Sequence, residues 1–206
     1  MKKIAILTLL LLLATGAYAQ IQMSAGGGFF TDMSFFNGYK VDDVNVGWRN
    51  IGSSVFVFFD AEYAELGAGF GYGMMSRVVK RSDTPVTDIP DFGDLYMLDL
   101  SLLLKYPFKF EAASLFPLAG ISYKGVLFGK IPGTKHLPYD NNKFNQFGFL
   151  AGLGFDHNFG NTMYFRIEGL FHFRFPMDFV DENLPSDAHI TNGVGGRIKV
   201  GLGYRF

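Results

Sequence analysis

The segment TMYFRIEGLFHFR, residues 162–174, carries Arg166, Glu168, His172 and Arg174 at even spacings. In an extended chain residues two apart share a face, so all four side chains would project together. An imidazole beside a carboxylate is the start of a general-base system that activates a serine hydroxyl. The same residue types also form plain ion pairs, and clustered charges are often structural. No serine stands near His172 in the sequence, so structural pairing is the expectation and no catalytic residue is assigned. His136, His157 and His189 fall in or near connections, and none has a metal-ligand spacing with a carboxylate partner. No metal is expected. GAGFGYG, residues 67–73, has the glycines of a phosphate loop, but that fingerprint needs a helix directly after them. Here Gly67, Gly69, Gly71 and Gly73 alternate with Ala68, Phe70 and Tyr72, as in a strand. No nucleotide or other cofactor is expected.

The elements that hold these residues are strands. Period-two alternation marks a strand with two unlike faces, and it recurs through most of the chain. SSVFVFFDAEY (53–63) sets Val55, Val57, Phe59, Ala61 and Tyr63 against Phe56, Phe58, Asp60 and Glu62. LYMLDLSLLLKY (95–106) sets Leu98, Leu100, Leu102, Leu104 and Tyr106 against Asp99, Ser101, Leu103 and Lys105. AELGAGFGYGM (64–74), QFGFLAGLGFD (146–156) and GGRIKVGLGYRF (195–206) repeat the pattern. Eight strands are predicted, at 21–33, 53–63, 64–76, 94–106, 113–127, 144–157, 162–174 and 194–206. No helix of useful length and no internal repeat stands out. Three connections are short, near Tyr63–Ala64, 107–112 and 158–161. Four are long, at 34–52, 77–93, 128–143 and 175–193, and hold most of the prolines. Alternating short and long connections suit an up-and-down antiparallel barrel.

Such a barrel is either soluble and lipocalin-like, apolar inside, or membrane-spanning, apolar outside. Three features favour the membrane. The apolar face is aromatic, nearly uncharged and long enough per strand to cross a bilayer, which takes about 9–11 residues. Rings gather toward strand ends (Phe29, Tyr63, Tyr96, Tyr106, Tyr123, Phe173, Tyr204, Phe206), as in interfacial girdles. The polar face mixes signs: Asp60, Glu62, Glu65, Asp99, Asp156 and Glu168 against Lys105, Lys124, Arg166, Arg174, Arg197, Lys199 and Arg205, with His172 among them. Mutual pairing in a narrow lumen avoids the cost of unpaired buried charge. The glycines at 67, 69, 71 and 73 would leave room there for long cationic side chains.

The chain of 206 residues has 24 Phe, 10 Tyr, 26 Gly and no Cys. Without cysteine there is neither a disulfide nor a lipidated cleavage site. Residues 1–19, MKKIAILTLLLLLATGAYA, have a basic start, a short apolar run and small residues at Ala17 and Ala19, the pattern of a secretory signal peptide cleaved before Gln20. Residues 20–206 then form one barrel domain. Losing Lys2 and Lys3 takes the formal charge from −1 to −3, which gives no argument for nucleic acid.

These features resemble small eight-stranded bacterial outer-membrane β-barrel proteins (the OmpA/OmpX/OmpW-like class). The signs are the leader, the absence of Cys, alternation to the end of the chain, and the final Tyr204-Arg205-Phe206. The resemblance implies an all-β, eight-stranded antiparallel transmembrane barrel with short periplasmic turns, four long outer loops and both termini in the periplasm. It also implies that Tyr204 and Phe206 form the signal read by the barrel-assembly machinery. Outer-membrane lipid and that machinery are the expected partners, with an extracellular ligand at loops 34–52, 77–93, 128–143 and 175–193, and a monomer as the assembly state. Loop 129–143 is mainly basic (Lys130, Lys135, Lys143) and 175–189 acidic (Asp178, Asp181, Glu182, Asp187). The leading functional expectation is a structural or surface-interaction role, without enzymatic activity. The alternatives are a narrow channel or hydrophobic conduit, for which Phe56, Phe58, Leu103, Phe116 and Leu118 are the inward apolar candidates, a lipid A-modifying enzyme, and a secreted lipocalin-like binder.

Overall fold

Two-residue alternation cannot build an amphipathic helix, and among the described residues the chain forms only strands and turns. The structure, a computed structural model, describes residues 22–41, 44–81, 87–129, 145–175 and 192–206. The strands are β1 (Met23–Val41), β2 (Val44–Ala61), β3 (Ala64–Arg81), β4 (Thr87–Lys105), β5 (Phe108–Lys109), β6 (Ala113–Gly129), β7 (Gln146–Phe159), β8 (Met163–Arg174) and β9 (Gly193–Arg205). The two-residue β5 only decorates the β4–β6 connection. The other eight are antiparallel neighbours in the order β4-β3-β2-β1-β9-β8-β7-β6, and β4 pairs with β6 to close the ring. The last strand seals it: β9 pairs with β1 from Ser24↔Arg205 to Phe36↔Gly193. Closure leaves the ring no unpaired edge, the condition a sheet must meet in lipid.

The side chains take the orientation of a membrane barrel. Asp60, Glu65, Asp99, Lys124, Asp156, Arg166, Glu168 and Arg197 are buried, while Val55, Val57, Leu66, Phe70, Ile198 and Leu202 are exposed on the outer wall. A lipocalin-like binder requires the reverse. At the end carrying the termini, Tyr63 meets Tyr106 (6.4 Å), Tyr106 meets Phe108 (5.3 Å) and Tyr204 meets Phe206 (5.8 Å). Toward the far end, Tyr96 stacks on Phe128 at 4.4 Å, and Phe175 gathers Phe147, Phe149 and Phe173. Phe29 departs from the expected girdle. It lies inside β1 between Val55 and Val200, in the middle of the apolar band.

Two of the four expected long loops are largely strand. Most of 34–52 belongs to β1 and β2, which stay paired to Val41↔Val44. Asn37-Gly38, a dipeptide type common in turns, falls at a register shift between Asn37 and Lys40 and does not end the hairpin. Most of 77–93 belongs to β3 and β4, with a register shift between Ser76 and Val78. Pro90 falls in that irregularity, where a missing amide hydrogen breaks no ladder bond. Residues 37–41 of β1 lie beyond its last partner on β9, and residues 87–94 of β4 lie beyond its first partner on β6. The β1–β2 and β3–β4 hairpins therefore stand past the level at which β9 and β6 pair with them. Residues 130–144 and 176–191, with most of the basic and acidic runs, lie outside the described residues. So do residues 1–21, with the expected leader and its cleavage site.

The glycines make room, but for different side chains than expected. A Cβ on Gly69 would meet the Phe30 ring, one on Gly71 the Ser54 hydroxyl, and one on Gly73 the Asn50 amide. Two further glycines lie under rings: Gly154 under Phe116, at 2.1 Å from an added Cβ, and Gly203 under Tyr164, at 2.2 Å. At these two positions an aromatic ring, with no long flexible stem to divert, requires bare backbone. Gly154→Ala should therefore destabilise the barrel by about 1–3 kcal/mol through overpacking. The gel-mobility shift of the unboiled protein in SDS should then occur at a lower temperature, and Phe116→Leu in the same chain should restore it.

Candidate functional site

The inward face is a filled lumen with two charged clusters and apolar packing between strands. Near the end with the termini, Arg166 on β8 is the centre. Its Nη1 donates to Glu65 (2.6 Å), its Nη2 to Asp60 (2.7 Å), and its Nε and Nη2 to both oxygens of Asp156 (2.7 Å each). The guanidinium also lies 4.9–5.1 Å from the Phe58, Tyr164 and Phe116 ring centres. Lys199 bridges Glu65 (2.6 Å) and Glu168 (2.8 Å), and Lys105 pairs with Asp60. Arg205 covers the Tyr164 ring at 4.5 Å. This cluster sets Lys105, Arg166 and Lys199 against Asp60, Glu65, Asp156 and Glu168, with the half-buried Arg205 at its edge. It is desolvated, and mutual pairing is the arrangement that makes such burial tolerable.

Toward the far end a second cluster gathers on Asp32. Lys124 pairs with its carboxylate, and Arg174 and Arg197 each approach the same oxygen at 3.4 Å. Arg197 also holds Asp99 bidentately (2.8 and 2.5 Å) and lies over Phe30 at 4.3 Å. Asp32 has no place in the expected network, because the first strand ended too early to display its phase. Phe30, Asp32, Ser34 and Phe36 in fact alternate inward. Glu62 is placed differently from its expected luminal position. It sits in the β2–β3 turn in the left-handed region, φ 53°, and pairs at the rim with the exposed Lys109 (2.5 Å).

The catalytic arrangement considered from sequence is not assembled. His172 is buried, and its Nε2 meets the Met33 carbonyl at 3.2 Å. Glu168 is taken up by Lys199. His157 is exposed and packs edge-on against Phe159. His136 and His189 lie outside the described residues. Among the described residues no group of His, Asp and Glu has the geometry of a metal site.

The apolar part of the lumen is larger than the five residues expected. Phe56, Phe58, Leu103, Phe116 and Leu118 are all buried, and Leu150, Leu170, Phe30 and Tyr164 join them. The rings among them, Phe30, Phe56, Phe58, Phe116 and Tyr164, lie against luminal cations. A polar hollow of about 40 Å³ opens near Asp60, Lys105, Asp156 and Arg205, room for roughly a water molecule. A hollow of about 570 Å³ lined by Val57, Leu66, Leu100, Leu102 and Ile121 lies on the outer apolar wall.

A family profile described as outer membrane protein beta-barrel domain matches residues 5–206. Solved structures with a similar course of the chain include the attachment invasion locus protein Ail of Yersinia pestis. It shares 15% identity, with 90% of this chain and 99% of that chain covered and a TM-score of 0.41. They include Neisserial surface protein A, at 10% identity, 89% and 99% coverage and TM-score 0.44. The outer membrane protease OmpT of Escherichia coli follows at 8% identity, 90% and 97% coverage and TM-score 0.42. A search of curated proteins finds no match.

Proposed function

The chain belongs to the outer membrane β-barrel family, and on that premise we propose that it acts in the outer membrane as a structural and surface-interaction protein, its far end facing outward. The observation that carries this reading is the pair of long hairpins, β1–β2 and β3–β4, standing past the pairing limits of β9 and β6. They raise a wall of backbone from a rigid, plugged base, and binding residues are commonly displayed on such projections. The packed lumen supports the same reading over transport, because an eight-stranded barrel is only just wide enough for its own side chains. The lipid-modifying alternative finds no support in the inward, Met33-bound His172.

The test is surface expression in a non-adherent host. The intact barrel should confer binding to mammalian cells or matrix-coated wells. Replacing residues 37–46 by a short turn should return binding to the empty-vector level while the SDS heat shift is retained. Binding no higher than the vector for the intact protein would sink the proposal. In planar bilayers the purified barrel should give no discrete conductance steps, and regular steps would move the assignment to a narrow channel.

A further inference from the structure

The outer wall is not evenly ridged. The hollow of about 570 Å³ lies between two rows of outward side chains. One row is Val57, Ala68, Leu100, Tyr123 and Phe147, each directly opposite the next across β2, β3, β4, β6 and β7. The other row, two residues closer to the end with the termini, is Phe59, Leu66, Leu102 and Ile121. The residues between the rows, Phe58, Gly67, Ser101 and Ser122, belong to the inward phase, so the floor of the groove is backbone. Ala68 is exposed and is the smallest outward side chain in either row, which lowers the wall there.

The groove has a length and a direction. A row across five strands spans four gaps, about 19 Å at roughly 4.8 Å each. The lipid chains of one leaflet reach about 15 Å, half of the hydrocarbon core. Val57 lies toward Ala61, where β2 finishes at the end with the termini, and Phe147 is the second residue of β7, at the far end. The groove therefore climbs obliquely from the body of the wall to the far rim, as a cross-strand row must when strands tilt by about 35–45°. Its upper end is polar. A Cβ on Gly125 would lie 3.7 Å from the Tyr123 hydroxyl and 3.6 Å from the Asn145 Oδ1, so a phenol and an amide flank one spot there.

We propose that this groove seats one acyl chain of a membrane lipid from the leaflet at the far end, with the ester carbonyl of that chain accepting from Tyr123 and Asn145. Lipid tails are as apolar as leucine, so apolarity alone gives no preference for the site. The preference comes from contact, because a chain between two ridges touches protein on three sides. It comes also from the two polar groups, which fix where the ester stops.

The experiment uses the full-length barrel refolded into phosphatidylcholine vesicles that contain a small share of phosphatidylcholine with a diazirine midway along one acyl chain. Cross-links made by light are mapped by peptide mass spectrometry, and lipid kept after extraction into detergent is counted by native mass spectrometry. The wild type should keep one lipid per barrel, with cross-links concentrated in 64–74 and 95–106. Ala68→Phe fills the groove from an exposed position. It should retain the SDS heat shift, keep about tenfold less lipid and spread its cross-links over the wall. Tyr123→Phe should weaken retention about threefold. If Ala68→Phe does not assemble, the wild-type map and Tyr123→Phe decide. No retained lipid, cross-links spread evenly over the wild-type wall, or equal retention by Ala68→Phe would overturn the proposal. Unchanged retention by Tyr123→Phe would overturn the placement of the ester.

Discussion

Arg166→Met should cost the folded barrel about 3–5 kcal/mol, the range for stripping one partner from a buried charged network. Methionine roughly fills the space and keeps contact with Phe58, Phe116 and Tyr164, so the loss is mainly electrostatic. Asp156 would lose the only ion pair it makes among the described residues. Asp60 would keep Lys105, and Glu65 would keep Lys199. The measurement is urea unfolding of the barrel refolded into lipid vesicles. Arg166→Lys should fall between the two, because one ammonium cannot reproduce a planar fork spread over three carboxylates. A loss below about 1 kcal/mol for the methionine variant would mean that water already serves these carboxylates.

Deleting Phe206 should have the opposite profile, a large defect in the cell and a small one in the test tube. In the folded barrel Phe206 is 76% exposed. Its backbone nitrogen donates to the Met23 carbonyl at 3.1 Å, and its ring touches Tyr204. One terminal hydrogen bond and one exposed ring pair account for about 1 kcal/mol. The refolded variant should therefore show a nearly unchanged heat shift. Outer-membrane levels in cells should nonetheless drop to a small fraction of normal, if the terminal aromatic is read by the assembly machinery before β9 has a partner. Normal levels of the truncated protein in the membrane would remove that role from Phe206. An equal loss of stability in vitro would reduce it to simple packing.

Most of the wall was legible because side-chain period two leaves only two choices of face, and one charged residue per strand is enough to settle the choice. Asp60, Asp99, Asp156, Arg166 and Arg197 each fix their strand in this way. Strand ends were harder. Asn37-Gly38 and Pro90 are turn signals when the segment is considered alone, yet a shift in register lets the hairpins continue past both. Asp32 was hidden by the same error, since a strand ending at residue 33 shows too little alternation to display its inward phase. Leu150 and Leu170 share the inward phase of Asp156 and Arg166, though they stood outside the five inward apolar candidates. Partners within the lumen were not legible at all. Arg166 lies across the barrel from Asp60 and Glu65, and nothing in local spacing says which residues face each other across a closed ring.

The wide sequence separation of those partners has a consequence for how the protein comes to be. Arg166 and its carboxylates on β2 and β3 are separated by more than a hundred positions. They meet only when strands from both halves of the chain have curled around to face one another. Until that moment each charge needs its own hydration shell, and the growing sheet must travel into lipid with a wet inner surface. Sealing β9 against β1 is then also a drying step, in which bound water is expelled as the ion pairs engage. Contacts this distant along the chain make for slow folding. Insertion should accordingly be governed by a single late closure, and the partly closed sheet, with its water still inside, is the species that a cell must shelter.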